Sequence, residues 1–379
     1  MSLKRTLAIL ILYCATANIA IAQYIPVPVR DNIYNINLLF AGDIMQHETQ
    51  LKEARTANGT YSFSDNYRYI KKDIGAADIA IGNLETPIGK SGFSGYPSFC
   101  APDSFLYAAT GAGFDVLLLA NNHCLDKGKP TILHTIDMMD SLGVEYCGVY
   151  RNSKEREERY PLILEKRGVR IALLNYTYGT NGREIPSPIV VNLIDKEVMA
   201  KDILKAKSLN PDVIIACMHW GDEYVSLPPA RVKEMADWLI AQGVDHVIGN
   251  HPHVIQPIEM RFNEKRCKYN TVVYSTGNIL SNMSLRKTDG GVMIKMKLTK
   301  YLNHTYVSAL RYMFTWIAPK MSNGRRDFTI YPAATTEITG NSNAKNKLEL
   351  FLNDSRKLME KHNKGHVKEI KGDSVKLTF

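Results

Sequence analysis

Five polar clusters, each directly after a short apolar run, constrain the fold of this chain more than any other feature. They are GDIMQH, GNLET, ANNH, MHWGDE and GNHPH, in that order along the sequence. Strands bring side chains to one edge of a sheet only where they end, so acidic, amide and imidazole groups at successive strand ends indicate one shared site. The pattern predicts a metal-binding site of the metallohydrolase kind.

Short apolar runs alternate with helical patterns along most of the chain. Strands are predicted over residues 36–42, 78–82, 114–120, 170–176, 212–218, 245–249 and 271–276. Helices are predicted over residues 64–75, 102–112, 129–142, 195–208 and 228–242. The apolar runs are nearly continuous, which is typical of strands covered on both faces, so we expect an α/β layered fold with a mostly parallel or mixed central sheet.

Two regions depart from that alternation. Residues 160–176 have a glycine, Gly168, between two apolar runs and predict a hairpin. After about residue 290 the sequence predicts strands followed by a polar helix over 343–362. We therefore expect a main domain over 23–330 and a basic, helical C-terminal appendage over 331–379.

The first 22 residues have the pattern of a signal peptide. Lys4 and Arg5 precede an apolar stretch, and Ala20-Ile21-Ala22 forms a small-x-small cleavage site. The pattern predicts export to the bacterial periplasm or cell surface with cleavage after Ala22. An uncleaved membrane anchor is the alternative; a lipid anchor at Cys14 is weaker, because bulky Tyr13 precedes it.

Composition excludes disorder and gives a modest positive charge. The chain is 45% apolar, and 47 Lys and Arg against 38 Asp and Glu give a net charge of +9. Cleavage after Ala22 would leave +7, of which +4 lies in residues 341–379. This balance suits solubility and is compatible with anionic polymers or phosphates. No basic run is interleaved with aromatic residues, so nucleic acid is not an expected partner.

Cysteine usage argues against a disulfide or cysteine-zinc scaffold. Five cysteines follow the predicted signal peptide, their spacings are wide and no CxxC pair occurs. Cys124, directly after His123, is either a nucleophile or a small buried thiol. The neighbouring residues already suit a metal mechanism, which favours the buried thiol.

The first two clusters supply carboxylates. Asp43 ends an apolar strand and is either a hard oxygen ligand or the cap of the next helix. Glu85 is either a ligand or a turn residue, and Asn83 is placed to orient Glu85 or a substrate oxygen.

The later clusters supply an amide and imidazoles. Asn122 offers an amide oxygen, and His123 can ligate a metal or donate a proton. His219 alone would more often be a satisfied core group, but its neighbours favour a ligand. His251 and His253 flank a proline that favours extended backbone at His251, so both rings are expected to face one ion.

Other polar residues have open roles. Asp222 and Glu223 either fix the tautomer of His219 and line the pocket or are solvated loop carboxylates. Arg183 is a candidate for gripping a substrate anion, and Asn278 is a candidate for supporting a ligand. Three tyrosines lie in loops that are candidates for facing the site: Tyr96, Tyr176 and Tyr178.

The ordered motifs GDIM, GNLET, NNH, HWGDEY and GNHPHVIQP, followed by YSTGN and YMFTWIAP, carry a family resemblance. Over residues 36–317 the chain resembles the CapA (PgsA) family, named for capsule and poly-gamma-glutamate synthesis, whose fold is similar to calcineurin-like metallophosphoesterases. The resemblance implies a four-layer α/β/β/α sandwich with its site at the strand ends.

The same resemblance implies roles for the cluster residues. Asp43 would fill the first acidic position, Glu85 the position of the bridging aspartate, and Asn122 would bind the second metal. His123 would be the proton donor. The remaining ligands would be the imidazoles of His219, His251 and His253.

Two departures from the phosphoesterase pattern bear on the metal. Those enzymes begin with Asp-x-His, whereas Ile44 and Met45 follow Asp43 here and the nearest histidine is His47. Glu85 also stands where they carry aspartate. One ion or two are therefore both expected possibilities, and mixed imidazole and carboxylate ligands favour manganese, iron or zinc.

Two functions remain open from the sequence. One is an exported metal-dependent hydrolase or transferase acting on a phosphoester or an anionic capsule-type polymer such as poly-gamma-glutamate. The other is a non-catalytic capsule-assembly factor that retains the fold and works with membrane-associated polymer-synthesis proteins. The oligomeric state is not predicted.

Overall fold

The computed structural model describes residues 33–318, 326 and 328–378. From Tyr34 onward the described residues form one compact unit. The predicted signal peptide over 1–22 and its cleavage site lie outside the described residues, so export stays a prediction. Among the helices that are described, none is long and apolar enough to cross a membrane.

The strands in the first part of the chain are β1 (Ile33–Ile44), β2 (Ile79–Leu84), β3 (Val116–Leu118), β4 (Glu145–Cys147), β5 (Val149–Tyr150), β6 (Leu162–Lys166), β7 (Val169–Thr177), β8 (Val190–Val191), β9 (Val213–His219) and β10 (His246–Asn250). Those in the second part are β11 (Ile258–Asn263), β12 (Lys268–Val273), β13 (Asn278–Leu280), β14 (Gly290–Tyr301), β15 (His304–Ile317), β16 (Ile330–Pro332), β17 (Thr336–Thr339), β18 (Val367–Glu369) and β19 (Val375–Thr378).

The α-helices are α1 (Glu48–Ala54), α2 (Lys71–Gly75), α3 (Asp103–Ala112), α4 (Lys129–Leu142), α5 (Ser153–Arg159), α6 (Lys196–Ser208), α7 (Ala230–Ala241) and α8 (Ser342–His362). Capping residues set several of their ends. Asp195 accepts hydrogen bonds from two backbone N–H groups at the start of α6. Gly143 ends α4 in the left-handed conformation.

Two mixed sheets form the centre of the molecule. The first has the order β16-β15-β14-β1-β2-β3-β4, with β13 beside β1 and β18 beside β15. The second has the order β11-β12-β10-β9-β7-β6. Strands β1 to β4 are parallel neighbours, and so are β7, β9, β10 and β12. Their carboxyl ends therefore meet at one edge of each sheet.

The side chains of β1 show how the layers are built. Leu38 and Phe40 belong to a core that holds side chains of both sheets and extends to the buried residues of α6 and α7. Leu39 and Ala41 face the other way, into a core shared with α3 and α4. Each sheet is thus covered on both faces, as the continuous apolar runs predict. The α/β/β/α layering is confirmed.

The helix predicted over 64–75 is wrong in its detail. The segment is a short 3₁₀ helix, Ser64–Tyr67, followed by the single turn of α2. Its buried residues Phe63, Tyr67, Ile70 and Ile74 do have helical spacing. A 3₁₀ turn with i to i+3 hydrogen bonds buries the same side chains, so apolar spacing alone does not distinguish the two backbones.

The C-terminal segment contributes to the main core. The helix predicted over 343–362 is present as α8, and its Phe351 is buried in the same core as Leu38 and Phe40. Strand β18 pairs with β15, while β17 and β19 form a small separate sheet. The hairpin predicted over 160–176 is also present, as β6 and β7.

Candidate metal centre

Five predicted ligands from four strand ends converge on one buried point. Asp43, Glu85 and His219 present ligand atoms within 4.8 Å of one another, and so do Glu85, His251 and His253. None of the five is more than 3% exposed. Glu85 belongs to both groups and therefore lies at their centre.

The distances define the cluster more closely. His253 Nδ1 is 3.0 Å from Asp43 Oδ2, and Glu85 Oε1 is 3.5 Å from His219 Nε2 and 3.8 Å from His253 Nε2. Asn122, after β3, places its Oδ1 2.8 Å from His219 Nε2. The amide oxygen predicted as a ligand is thus in contact with the same imidazole nitrogen as Glu85.

Asn83 contacts the acidic side of the cluster. Its Nδ2 donates to Asp43 Oδ1 at 2.7 Å and to Glu85 Oε2 at 3.1 Å, and it lies 3.4 Å from His219 Nδ1. In the sheet, Asp43 is paired with Asn83 on one side and with Asn278 on the other. Asn278 Oδ1 lies 3.0 Å from His253 Nδ1, so it supports that ring.

Burial sets the protonation of the cluster. It raises the pKa of Glu85 well above its usual range, and the charge of Asp43 adds to that shift. Burial and neighbouring imidazoles lower the pKa of His219 well below its usual value and that of His251 to about 3. The two rings are therefore neutral near pH 7 and offer lone pairs to a cation.

A divalent cation fits this donor set. Glu85 Oε1 and His251 Nδ1 are buried and have no hydrogen-bond partner among the described residues. A buried polar atom without a partner is costly, and a cation held by both atoms would remove that cost. Carboxylate oxygen and imidazole nitrogen together are ligands that manganese, iron and zinc accept.

The backbone conformation of His251 differs from the extended one that the sequence predicts. The proline between His251 and His253 was expected to favour an extended His251, but His251 has φ 98° and His253 has φ 56°. Non-glycine residues adopt positive φ rarely and at a cost of about 1–3 kcal/mol. The rings reach the cluster through a sharp turn after β10, not through an extended segment.

Glycines before two ligand positions have a packing reason. A Cβ on Gly42, next to Asp43, would collide with the carbonyl oxygen of Gly277. A Cβ on Gly249 would collide with the carbonyl oxygen of Tyr274. These glycines allow neighbouring strands to approach closely at the edge where the ligands emerge.

His123 lies beside the cluster and has a carboxylate partner that sequence reasoning missed. His123 Nδ1 is 2.8 Å from Asp126 Oδ2, and both side chains are buried. Asp126 also accepts a hydrogen bond from the Phe99 backbone N–H, and the Phe99 ring packs edge-on against His123. The signal was available, because Asp126 follows His123 by three residues in HCLD.

His47 lies near the cluster without joining the two ligand groups. Its ring contacts Phe99 at 5.1 Å between centroids, and its Nε2 is buried without a hydrogen-bond partner in the described part of the chain. Burial, with the nearby charges of His253 and His123, lowers its pKa to about 4.

Two tyrosines flank the histidines of the cluster. The ring centroid of Tyr178 lies 4.6 Å from that of His251, and the ring centroid of Tyr224 lies 6.3 Å from that of His253.

Several candidate residues have other partners. Arg183 Nε lies 3.6 Å from Asp126 Oδ1, and Arg183 also donates to Ser98, so it contacts the carboxylate that holds His123. Asp222 forms a surface ion pair with Arg231. Asn83 and Asn122, not the two loop carboxylates, contact the nitrogens of His219.

Three further candidates lie away from ligand positions. Glu223 is exposed, and so is Tyr96, whose ring lies 6.3 Å from that of Phe99. Tyr176 is buried and donates to Asp202, so its predicted place in a loop facing the site is wrong. Burial raises the pKa of the Cys124 thiol to about 12, which agrees with the buried-thiol alternative.

Fold and site together define a class. The molecule is an α/β/β/α sandwich with a buried carboxylate and histidine cluster, able to hold a metal ion, at the carboxyl ends of its strands. Residues 37–283 match the bacterial capsule synthesis protein family PGA_cap. The chain belongs to this family, which confirms the resemblance found in its motifs.

Two relatives illustrate the family. The chain is 28% identical over 289 residues to the capsule biosynthesis protein CapA of Bacillus anthracis, covering 72% of this chain and 66% of the relative. It is 25% identical over 278 residues to the PGA biosynthesis protein CapA of Bacillus subtilis, covering 69% and 67%. The alignments thus span about two thirds of each relative's length.

Among solved structures, the chain is similar to the calcineurin-like phosphoesterase YfkN from Bacillus subtilis. The identity is 15%, the superposition covers 86% of this chain and 98% of that one, and the TM-score is 0.46.

Proposed function

We propose that this protein is an exported, metal-dependent hydrolase that acts on an anionic capsule-type polymer, with poly-gamma-glutamate as the first substrate to test. The observation that carries the proposal is the buried cluster around Glu85, whose unpartnered donor atoms suit a cation, with a histidine and carboxylate pair beside it. The names of the two Bacillus relatives, which refer to capsule and PGA biosynthesis, support the choice of polymer.

The cation would be held by Asp43, Glu85, Asn122 and the three imidazoles of the cluster. When bound, a divalent cation polarises a substrate oxygen and makes a water molecule a better nucleophile near neutral pH. Manganese, iron or zinc is the proposed ion. Asn83 keeps both carboxylates turned towards the cluster, because its amide donates to each of them.

His123 is the proposed proton donor. The Asp126 carboxylate accepts from His123 Nδ1, so the proton passed to the leaving group would come from Nε2 of the imidazolium form, which returns to the neutral ring with its proton on Nδ1. Asp126 also holds the ring in one orientation, since it is itself fixed by the Phe99 backbone N–H.

A polymer-assembly role without turnover is the second candidate, and one observation favours it. Two residues after Asp43, where the phosphoesterase pattern has a metal-binding histidine, this chain has Met45, which is 1% exposed. One ion would then be held less firmly. The relative in Mycobacterium tuberculosis that is 26% identical over 200 residues has the name probable polyglutamine synthesis accessory protein, which is compatible with this role.

The test combines metal content with turnover. The purified protein is assayed for bound metal and for hydrolysis of gamma-glutamyl oligomers and of bis-p-nitrophenyl phosphate, in parallel with His123→Ala. We expect bound metal in both proteins and about 10²- to 10⁴-fold slower turnover in the variant. Bound metal without any turnover that depends on His123 would favour the assembly role.

Export is tested separately, by N-terminal sequencing of the protein recovered from the periplasm or cell surface. A mature chain beginning at Gln23 would support cleavage after Ala22. Recovery of the whole chain from the cytoplasm would contradict the proposal.

A further inference from the structure

A cavity of about 450 Å³ opens next to the metal centre, between the loop that joins β13 to β14 and helix α8. Its volume lies in the range of about 300–1,000 Å³ that is usual for small-ligand sites. Four cationic side chains and two carboxylates line it: Arg286, Lys287, Arg326, Lys347, Asp289 and Asp354. We call it the loop cavity.

The charges of the loop cavity do not cancel. Arg286 and Asp354 neutralise each other through two hydrogen bonds of 2.7 and 2.8 Å. The Asp289 carboxyl accepts from the Trp316 indole, and burial raises its pKa. Lys287 donates to the neutral hydroxyl of Ser226 at 3.0 Å.

Lys347 adds a further positive charge. It is exposed on α8 and forms no ion pair with any described residue, although its charge acts on the Asp289 carboxyl across the cavity. Together with Lys287 it gives the loop cavity an excess of positive charge, which attracts anions.

One asparagine separates the loop cavity from the metal centre. Asn278 Oδ1 lies 3.0 Å from His253 Nδ1, while its Nδ2 lies 3.4 Å from the sulfur of Met283, which lines the cavity. The same Nδ2 donates to the Thr288 carbonyl, in the loop that carries Lys287. A ligand in the cavity would therefore lie directly behind the His253 side of the cluster.

The remaining wall is apolar. Leu285, Ile317, Leu350 and Phe351 line the cavity between the charged groups. A chain that carries carboxylates on short methylene linkers matches this alternation, because its methylenes can pack on the apolar wall while its carboxylates meet Lys287 and Lys347.

We propose that the loop cavity binds carboxylate groups of an anionic polymer, next to the segment held at the metal centre. This proposal deepens the proposed function and rests on it for the position of the reacting bond. The ligand class is a polycarboxylate, and Lys347 and Lys287 are the recognising cations.

The test compares charge reversal at two exposed lysines of helix α8, one that lines the loop cavity and one that does not. Lys347 lines the cavity, whereas Lys345 does not and instead lies 4.0 Å from Glu349 one turn along α8. Binding of a fluorescein-labelled gamma-linked glutamate oligomer to the full, metal-loaded protein is measured by fluorescence anisotropy. Lys347→Glu should weaken binding about tenfold, and Lys345→Glu less than about twofold.

Equal weakening by both charge reversals would overturn the proposal, because it would mean that only net charge matters. Lys287→Asn tests the second lysine of the cavity. Asparagine tolerates the positive φ of 75° at this position, so the backbone should keep its conformation. The substitution should also weaken binding by about fivefold. Unchanged binding in this variant would contradict the assignment of Lys287. Unfolding midpoints and metal content of each variant establish that it is folded.

Two further measurements separate this proposal from the proposed function. Oligomer binding that depends on Lys347, without hydrolysis by the wild-type protein, would support the loop cavity and reject the hydrolase. Hydrolysis by the wild-type protein, with oligomer binding that Lys347→Glu leaves unchanged, would support the hydrolase and reject the loop cavity as a binding site. A polyphosphate of matched charge that binds more tightly than the glutamate oligomer, and through Lys347, would overturn the polycarboxylate assignment.

Discussion

The two ends of strand β10 carry buried histidines in opposite situations. His246 begins the strand, is 2% exposed, and accepts a hydrogen bond from the Thr271 backbone N–H at 3.2 Å. His251 follows the strand, is 3% exposed, and its Nδ1 has no hydrogen-bond partner among the described residues. Burial lowers the pKa of both, to about 4 and about 3.

Burial and a lowered pKa therefore do not distinguish a structural histidine from a candidate ligand. The hydrogen-bond partner does: the His246 ring is satisfied by the backbone of the adjacent strand, whereas His251 lies among the imidazoles and carboxylates of a cluster that could hold a cation. The comparison agrees with the general rule that sites lie at the carboxyl ends of parallel strands.

The largest effect is expected at the centre of the cluster. Glu85→Gln keeps the shape of the side chain but removes the charge that faces three ligand groups, so bound metal and turnover should both fall by more than about a hundredfold. His246→Asn, at the other end of β10, should keep its metal. Metal analysis after dialysis measures both, and equal metal in the two variants would show that Glu85 is not a metal ligand.

A smaller effect is expected from the carboxylate behind His123. Asp126→Asn removes the acceptor that orients the ring, and we expect turnover to fall about 10- to 100-fold with metal content unchanged. The pH profile of turnover should shift as well, because a merely structural role would leave it in place. A profile identical to that of the wild type would argue against positioning by Asp126.

The opposite end of β10 should respond in stability and not in chemistry. His246→Leu leaves the buried N–H of Thr271 without a partner, which should lower the free energy of unfolding by about 1–3 kcal/mol. Denaturant unfolding measures this, and metal content serves as the control. Loss of metal in a variant that unfolds like the wild type would mean that the two ends are not independent.

The burial of His246 also makes the stability of the protein depend on pH. The His246 pKa falls from 6.5 in the unfolded chain to about 4 in the folded one. The unfolded state therefore takes up the proton first, and the stability is present above pH 6.5 and lost as pH falls towards 4.

Between pH 7 and pH 5 the loss from His246 is about 2 kcal/mol. His246→Asn keeps a hydrogen-bond acceptor but cannot titrate, so the metal-free variant should lose that much less stability over the same range. Unfolding curves at the two pH values measure the difference. Parallel losses in variant and wild type would show that His246 does not titrate as its burial implies.

The sequence predicts that Asp43, Glu85 and His219 come together because each lies at or just after a strand end, and apolar runs locate strand ends. Their role as metal ligands stays a prediction. The Asp126 contact with His123 was missed because a short spacing in a loop does not reveal which side chains turn towards each other. The positive φ of His251 was also missed, since the preference imposed by a following proline was outweighed by the turn that brings two rings to one cluster.

The loop cavity could not be predicted from the sequence, for a different reason. Lys287 and Lys347 lie far apart in the chain, and only the packing of α8 against the loop after β13 brings them to one wall. Arg183 shows the same limit, because its contact with Asp126 depends on two loops that the sequence does not place together. Its contact with a substrate anion stays a prediction.

The close approach of Gly42 to Gly277 limits how this protein can be engineered. Any side chain at Gly42 would force β1 away from β13 and so separate Asp43 from Asn278, the two residues that hold His253 from either side. Laboratory evolution towards new polymers should therefore leave this glycine fixed and draw its useful diversity from the rim and the neighbouring loop.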